Sequence, residues 1–315
     1  MRISRYFFIT FLLVLLPITL TSISGCLRCS GHCPYYPPQG KEDAVCLPQQ
    51  GRDTLQGRDI LFQVSTIDAL FEGIYDGDIT CADLKVHGDF GIGTFNGLDG
   101  EMIELGGNFY QVRSDGVAYR ADDSTKVHFA EVTFFDPDKT AVLDKTTCSG
   151  MDYKRLEHYL DTLLPTENIF YAVKITGDYD YIKTRSVPRQ NRPYLPLVEV
   201  VKNQPTFEFH QVKGTIAGFR CPEYVKGINV PSYHFHFITE DGKAGGHLLE
   251  CRLHNVRVEI DYTCGFHMAL PEGGEFYQAH LAKEKQSELN KVEKQGALWP
   301  GNRQTENING EHKEE

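Results

Sequence analysis

The sequence predicts an α+β fold dominated by β-sheet, and three observations support this class. Short apolar runs with a period of two residues recur from about residue 60 onward in the 315-residue chain. Pairs such as Asn-Gly, Asp-Gly and Gly-Gly separate several of these runs, as in antiparallel hairpins. Apolar residues at helical spacing occur in two segments, near residues 66–74 and 150–164.

The ordered part of the chain is expected to begin at residue 59. Residues 60–64 alternate as in a strand, and Thr66 can cap a short helix over residues 67–74. Residues 85–121 have the pattern of a β-meander, with short apolar runs separated by turn signals, and "VHFAEVTFF" continues the sheet.

A second helix is predicted over residues 150–164, where four apolar side chains share one face and Pro165 follows. Residues 169–188 are predicted to form a strand, a turn and a second extended piece. From residue 206 onward the chain is again rich in residues that favour strands.

Residues 1–25 have the pattern of a signal peptide. Arg2 and Arg5 precede an apolar run that Pro17 interrupts, and small residues follow. The run is too short for a comfortable membrane span, which favours cleavage. The motif "ISGC", ending at Cys26, also matches a bacterial lipobox; a plain cleaved signal and an uncleaved anchor are the alternatives. We therefore expect an exported protein that is periplasmic, extracellular or anchored through lipid on Cys26.

Nine cysteines are compatible with export. If Cys26 carries lipid, the remaining eight could pair in an oxidising compartment. Residues 26–58 are rich in cysteine, proline and glycine, and we expect them to form a tether with local disulfides. A zinc knuckle through Cys26, Cys29, His32 and Cys33 is the alternative, although the second ligand pair of a zinc ribbon is missing.

The overall charge argues against one class of partner. A formal net charge of −11 disfavours nucleic acid as the main partner, because phosphate binding requires clustered lysine and arginine. Residues 296–315 are polar and charged, and they are expected to be a disordered tail.

Three histidines lie close together in "PSYHFHFITEDGKAGGHLLE", residues 231–250. In a strand, His234 and His236 project to the same face. The turn "EDGKAGG" allows the chain to return antiparallel and to place His247 opposite this pair. Three neutral imidazoles would leave one zinc coordination position open, as in catalytic sites. Histidines that only hydrogen-bond within a core or face water are the alternative. The opposite face of the strand is expected to carry Tyr233, Phe235 and Phe237.

Two further patterns contain charged residues. Arg185 and Arg189 in "KTRSVPRQ" could pair bidentately with a carboxylate, but the pattern alone favours the solvated end of a strand. Glu101 follows the turn in "LDGE", which by itself indicates a hairpin.

Taken together, these segments resemble the α-acetolactate decarboxylases. Six segments resemble sequence motifs of that family and occur in the same order: "STIDALFEGIYDG", "GDFGIGTFNGLDGEMI", "YQVRSDGVAYRA", "TRSVPRQ", "GTIAGFRCPEYVKGINVPSYHFHFITEDGKAGGHLLE" and "LPEGGEF". The similarity covers about residues 60–295. It implies a homodimer with a large N-terminal mixed-sheet domain, here residues 59–190, and a smaller β-rich C-terminal domain, residues 191–295, that carries the metal site.

The resemblance also implies an active site built around zinc. The three zinc-binding histidines of the family match His234, His236 and His247. Its other site residues match the arginine of "TRSVP", the glutamate of "LDGE", the threonine of "GTF" and a glutamate in "NKVEK", which are Arg185, Glu101, Thr94 and Glu293.

The chemistry of 2-acetolactate explains why such residues would be needed. Loss of CO₂ leaves electrons on carbon, and the neighbouring ketone must absorb them. Zinc bound to the keto and hydroxyl oxygens would assist as a Lewis acid. Arg185 would hold the substrate carboxylate or steady the developing charge, and Glu101 or Glu293 would protonate the carbon to give acetoin.

Two other functions are compatible with the same residues. A cupin-like oxygenase also uses a His-x-His pair on a β scaffold, but it usually adds a carboxylate ligand to an iron site. A non-catalytic exported relative would keep the metal and the pocket without turnover, and the presence of Arg185 and Glu101 argues against it.

Overall fold

The computed structural model describes residues 59–148, 150–281 and 285–293, and strands dominate them, so the predicted sheet-dominated α+β class is confirmed. The strands are β1 (Ile60–Val64), β2 (Phe90–Phe95), β3 (Glu101–Leu105), β4 (Asn108–Val112), β5 (Ala118–Arg120), β6 (Val127–Thr133), β7 (Lys139–Leu143), β8 (Phe170–Arg185), β9 (Thr206–Cys221), β10 (Ser232–Thr239), β11 (Gly245–Thr263) and β12 (Gly265–Ala269). The helices are α1 (Ile67–Phe71), α2 (Cys81–Leu84), α3 (Tyr153–Leu163), α4 (Leu197–Val200) and α5 (Gln286–Glu293). Short 3₁₀ turns are formed by Asn96–Leu98, Val201–Asn203, Glu223–Val225 and Phe276–Gln278.

The strands of the described residues form two sheets. The first sheet has seven strands in the order β12-β1-β6-β2-β3-β4-β5, and it is mixed because β1 and β12 run parallel. The second sheet has five strands in the order β10-β9-β8-β11-β7, all antiparallel. Since β10 also pairs with β11, the strands β10, β9, β8 and β11 close into a ring.

Strands from both sides of residue 190 build the second sheet. β8 precedes that position and pairs along its length with β9, which follows it. β12, from the C-terminal part of the chain, joins the first sheet. The boundary predicted at residue 190 therefore does not separate the two sheets, and the described residues belong to one compact unit.

The first strand and helix form where the sequence pattern places them. Residues of β1 alternate between the two faces of the first sheet, and Thr66 caps α1 by accepting a hydrogen bond from the amide of Ala69 at 3.2 Å. α1 ends at Phe71, so Ile74 is buried beyond the helix rather than within it.

The turn predicted within residues 169–188 is wrong, because β8 runs without interruption for 16 residues. The Gly-Asp pair at Gly177 lies inside the strand, between β9 and β11. A Cβ atom on Gly177 would lie 2.2 Å from the carbonyl oxygen of Asn255, so glycine here permits close pairing with β11. Arg185, the last residue of this strand, is buried.

One face of the second sheet packs on α3. Leu156 and Leu160 of this helix are buried, as the helical spacing predicted. They contact a core that includes the three aromatic residues of the β10 face, Tyr233, Phe235 and Phe237.

The opposite face of the second sheet packs on the first sheet. Phe219 of β9 belongs to a core with Ile92 and Ile103 of β2 and β3. In the register of β9 and β10, His234 lies opposite Phe219. Because paired residues project to the same side of a sheet, His234 lies between the two sheets.

Several predictions concern residues outside the described ranges. These are the signal peptide of residues 1–25, the tether of residues 26–58 with its zinc-knuckle alternative, the lipidation of Cys26 and the tail of residues 296–315. Within the described ranges, no helix is long and apolar enough to cross a membrane.

The described cysteines include both free thiols and a disulfide. Cys264 is disulfide-bonded, whereas Cys81, Cys148, Cys221 and Cys251 are free and buried. Pairing of all eight remaining cysteines, which their even number allowed, therefore does not occur. The buried thiols behave as small apolar side chains within the cores.

The packing of α3 predicts a difference between its two faces. Leu156→Ala should lower the free energy of unfolding by about 2–5 kcal/mol, because it leaves a cavity in the core beneath the helix. His158→Ala changes an exposed residue of the same helix and should alter stability by no more than about 0.5 kcal/mol. Urea denaturation of both variants checks this, and equal losses would contradict the packing described.

Candidate metal centre and active site

Antiparallel pairing of β10 and β11 brings the three histidines together. His236 lies directly opposite His247, and His234 is two residues away on the same face of β10. One ring nitrogen from each lies within 4.8 Å of the others. The three residues are only 8%, 1% and 3% exposed for His234, His236 and His247. They are therefore neither water-facing histidines nor scattered core residues.

The imidazole of His236 has a fixed orientation. Its Nδ1 atom lies 2.8 Å from the carbonyl oxygen of Met102 and is therefore the protonated, donating nitrogen. Its Nε2 atom is buried and has no hydrogen-bond partner among the described residues. An unpartnered buried nitrogen aimed at two other imidazoles fits a cation, because metal-binding histidines typically donate their second nitrogen to a carbonyl or carboxylate.

The charge states of two of the three histidines also fit a metal. Burial, together with the charges of Arg185 and neighbouring histidines, lowers the pKa of His236 and His247 well below the usual range. These imidazoles are thus neutral, which is the form that binds a metal. At His234 burial also lowers the pKa, but the carboxylates of Glu293, Glu131 and Glu101 outweigh it and the net pKa is raised.

Arg185 ends β8 and lies opposite His247 in the register of β8 and β11. Its side chain is 5% exposed, with Nη1 at 3.2 Å from Oε1 of Glu101. Its Nη2 lies 3.9 Å from Oε1 of Glu293. The solvated strand end that the local pattern favoured is therefore wrong for Arg185. It fits Arg189, whose side chain is 66% exposed.

Glu101 is the first residue of β3 and is buried beside the histidines. Its Oε2 atom lies 3.5 Å from Nε2 of His236. Burial raises the pKa of Glu101 to about 7, against the opposing charges of Arg185 and His234. Thr94 pairs with Glu101 across β2 and β3, and its hydroxyl donates to the carbonyl of Gly100 at 2.8 Å. Thr94 thereby holds the turn that delivers Glu101.

Glu293, the last residue of α5, approaches the histidines from the other side. Its Oε2 atom lies 3.4 Å from Nε2 of His247 and 3.9 Å from Nε2 of His234. Leu289 and Val292 of α5 pack into the apolar cluster that contains α1 and α4. This packing positions Glu293 over the site.

The charged residues lie at the wall of a pocket whose other walls are mostly apolar. Thr94, Glu101, Arg185, Glu293 and the three histidines all line it. The apolar part of the lining consists of Ile67, Leu70, Leu98, Phe129, Val187, Leu197 and Val292. Such a lining excludes water and strengthens the electrostatic interactions within.

One buried carboxylate near the histidines was missed by the sequence reasoning. Glu131 of β6 is 0% exposed, and its Oε1 atom lies 3.6 Å from Nδ1 of His234. The available signal was a carboxylate within the otherwise apolar strand "VHFAEVTFF". That signal indicates an inward-facing charge but does not identify its partner.

A known family accounts for this arrangement. The family model of alpha-acetolactate decarboxylase matches residues 61–283. This chain belongs to the alpha-acetolactate decarboxylase family. The resemblance inferred from the sequence is thereby confirmed, and with it the class of enzyme, since this is a family of carboxy-lyases.

Individual relatives of the alpha-acetolactate decarboxylase family agree with the match. The alpha-acetolactate decarboxylase of Methanosarcina mazei is 47% identical over 293 residues, which cover 91% of this chain and 99% of the relative. That of Bacillus subtilis strain 168 is 42% identical over 221 residues, or 70% of this chain and 85% of the relative. The crystal structure of alpha-acetolactate decarboxylase from the same Bacillus subtilis strain has a TM-score of 0.71 and 40% identity, covering 75% of this chain and 99% of that one.

The histidine geometry predicts a loss of metal when one imidazole is removed. His236→Ala should bind far less divalent metal than the unchanged protein, because two histidines hold an ion much more weakly than three. His210→Ala removes an exposed imidazole of β9 and should bind as much metal as the unchanged protein. Elemental analysis after dialysis measures this, and stoichiometric metal in the His236 variant would contradict its role as a ligand.

Proposed function

We propose that the protein is a zinc-dependent acetolactate decarboxylase that converts 2-acetolactate to acetoin and CO₂. The observation that carries the proposal is the convergence of three buried imidazoles on one pocket with Arg185 and two carboxylates. Membership of the alpha-acetolactate decarboxylase family supports the substrate and the reaction.

His234, His236 and His247 would hold the ion. Zn²⁺ bound there would supply Lewis acidity toward the keto and hydroxyl oxygens of the substrate. Neutral imidazoles suit zinc, although they also suit iron, and Glu101 and Glu293 lie near enough to resemble the carboxylate of an iron oxygenase site. Family membership therefore decides in favour of decarboxylation over the cupin-like alternative.

Arg185 would orient the carboxylate that leaves as CO₂. Its guanidinium is buried and lines the pocket next to His247, so a substrate carboxylate can pair with it at low water content. In the structure its neighbours are the carboxylates of Glu101 and Glu293. A substrate carboxylate would take over part of these interactions.

Glu101 and Glu293 would be the acids that protonate the carbon after CO₂ is lost. Both line the pocket and lie on either side of Arg185. A proton held on one of these carboxyl groups can pass to the carbon after CO₂ has left. The apolar walls keep water from competing with this transfer.

Arg185 and Arg189 give a matched pair of variants. Arg185→Ala should keep its bound metal but lose about 10²–10³-fold in kcat, since it removes a charge that acts on the reacting carboxylate. Arg189→Ala removes an exposed arginine of the same segment and should retain full activity. Steady-state kinetics together with metal analysis test this. Loss of metal in the Arg185 variant, or equal kinetics for both variants, would contradict the assigned role.

A direct assay separates the proposed activity from its alternatives. The purified protein should form acetoin from 2-acetolactate, lose this activity with a chelator and regain it with zinc. Oxygen consumption by an iron-loaded protein would favour an oxygenase. Absence of acetoin from zinc-loaded protein would favour a relative that binds without turnover.

We further propose that the protein is exported and carries lipid on Cys26, and that it forms a homodimer. The leader pattern and "ISGC" support export, and the disulfide at Cys264 is compatible with an oxidising compartment. The family resemblance supports the dimer. Mass spectrometry of the mature N-terminus should detect a diacylated Cys26, and light scattering should give twice the mass of one chain. An unprocessed N-terminus or a monomer would contradict the respective proposal.

A further inference from the structure

Glu131 lies behind the metal-binding face of His234. It belongs to β6, which is flanked by β1 and β2 in the middle of the first sheet. It does not line the pocket, and neither substrate nor solvent can reach it from there. Its carboxylate nevertheless faces the site, because its Oε1 atom approaches Nδ1 of His234.

We propose that Glu131 is a positioning residue for His234, and this rests on the metal site of the proposed function. Its carboxylate accepts a hydrogen bond from the Nδ1–H group of His234 and thereby leaves Nε2 as the nitrogen that binds the metal. Nε2 is also the atom that faces Glu293 across the pocket. The interaction selects the tautomer, fixes the plane of the ring and increases the basicity of Nε2.

Nδ1 of His234 and Oε1 of Glu131 face each other, and each lacks another hydrogen-bond partner among the described residues. Among the described residues, Nδ1 of His234 and Oε1 of Glu131 are buried and make no hydrogen bond. They are 3.6 Å apart, so a movement of less than about 1 Å would give an ordinary hydrogen bond. Leaving both groups unpaired in the interior would be costly, which favours their pairing.

The second oxygen of Glu131 has a weaker neighbour. Sγ of Cys221 lies 3.9 Å from Oε2 and can donate to it. This thiol carries no charge and cannot balance a buried carboxylate. An imidazole that binds a cation through its other nitrogen can do so, because the ion polarises the Nδ1–H bond toward Glu131.

The histidines thus differ in the group behind them. At His236 the partner of Nδ1 is the carbonyl oxygen of Met102, which is neutral. At His234 the group that faces Nδ1 is the carboxylate of Glu131. Glu131 therefore contributes negative charge to the ion's surroundings without occupying a coordination position.

The chain provides a matched control in Glu104 of β3. Glu104 is also 0% exposed, and both its side-chain oxygens lack hydrogen bonds among the described residues. It is three residues from Glu101 along the strand, so its side chain projects to the face of the first sheet that is turned away from the histidines. Substitutions at Glu104 test what the loss of a buried carboxylate does by itself.

The experiment measures zinc affinity by competition with a chromogenic chelator. Glu131→Leu should weaken zinc binding by about 10–100-fold, because a leucine side chain can neither accept a hydrogen bond nor carry charge. Glu131→Gln keeps an accepting oxygen but removes the charge. Its zinc affinity should fall by about tenfold, at the low end of that range. Glu104→Leu and Glu104→Gln should bind zinc as tightly as the unchanged protein. If Glu131→Leu fails to fold, the comparison of the two glutamine variants decides.

A second measurement identifies directly which ring nitrogen of His234 binds the metal. Long-range ¹H–¹⁵N spectra of the zinc-loaded protein should show His234 protonated at Nδ1 and metal-bound at Nε2. Addition of zinc at saturating concentration should restore most of the kcat of Glu131→Gln, because the residue acts through His234 and not on the substrate.

The possible failures are distinguishable. Zinc affinity in both Glu131 variants equal to that of the unchanged protein, or ligation of His234 through Nδ1, would overturn the role of Glu131 alone. Absence of zinc binding in the unchanged protein would instead overturn the metal site on which the proposed function depends.

Discussion

The antiparallel register of β10 and β11 is the constraint on which the site depends. His236 lies opposite His247, and a shift of one residue would turn an imidazole to the other face of the sheet. Gly246 precedes His247, and a Cβ atom there would lie 2.4 Å from the carbonyl oxygen of Arg185. A residue without a side chain is therefore needed for β11 to approach β8. This close approach of β11 to β8 places Arg185 beside His247.

The site concentrates charge where water has little access. Glu101, Glu131 and Glu293 surround the histidines, and Arg185 is the nearby guanidinium. When all three carboxylates are ionised, they outnumber this one guanidinium. Such an excess is unfavourable in the interior unless a cation compensates it. A divalent ion held by neutral imidazoles would therefore stabilise the folded protein, in addition to its part in the reaction.

Sequence periodicity predicts local geometry well and burial by distant segments poorly. The period of two puts His234 and His236 on one face, and the glycine-rich turn returns His247 to them. Arg185 has the pattern of a solvated strand end, because nothing in its own segment indicates that α5 covers it. His234, which faces Glu131, also lies in a distant segment of the chain, so the local pattern around Glu131 does not indicate it. Thr94, Glu101 and Glu293 are identified through resemblance to a family, since periodicity indicates which face a residue occupies and not which chemistry it performs.

The pocket draws its residues from Ile67 near one end of the described chain to Glu293 at the other. The helix that carries Glu293 contributes Leu289 and Val292 to the same apolar cluster as Ile67 and Leu70 of α1. The pocket is therefore closed only after α5 has docked on the rest of the fold. Before α5 docks, the side of the pocket formed by Val292 and Glu293 would be open, and a cation could reach the three imidazoles most easily at that stage.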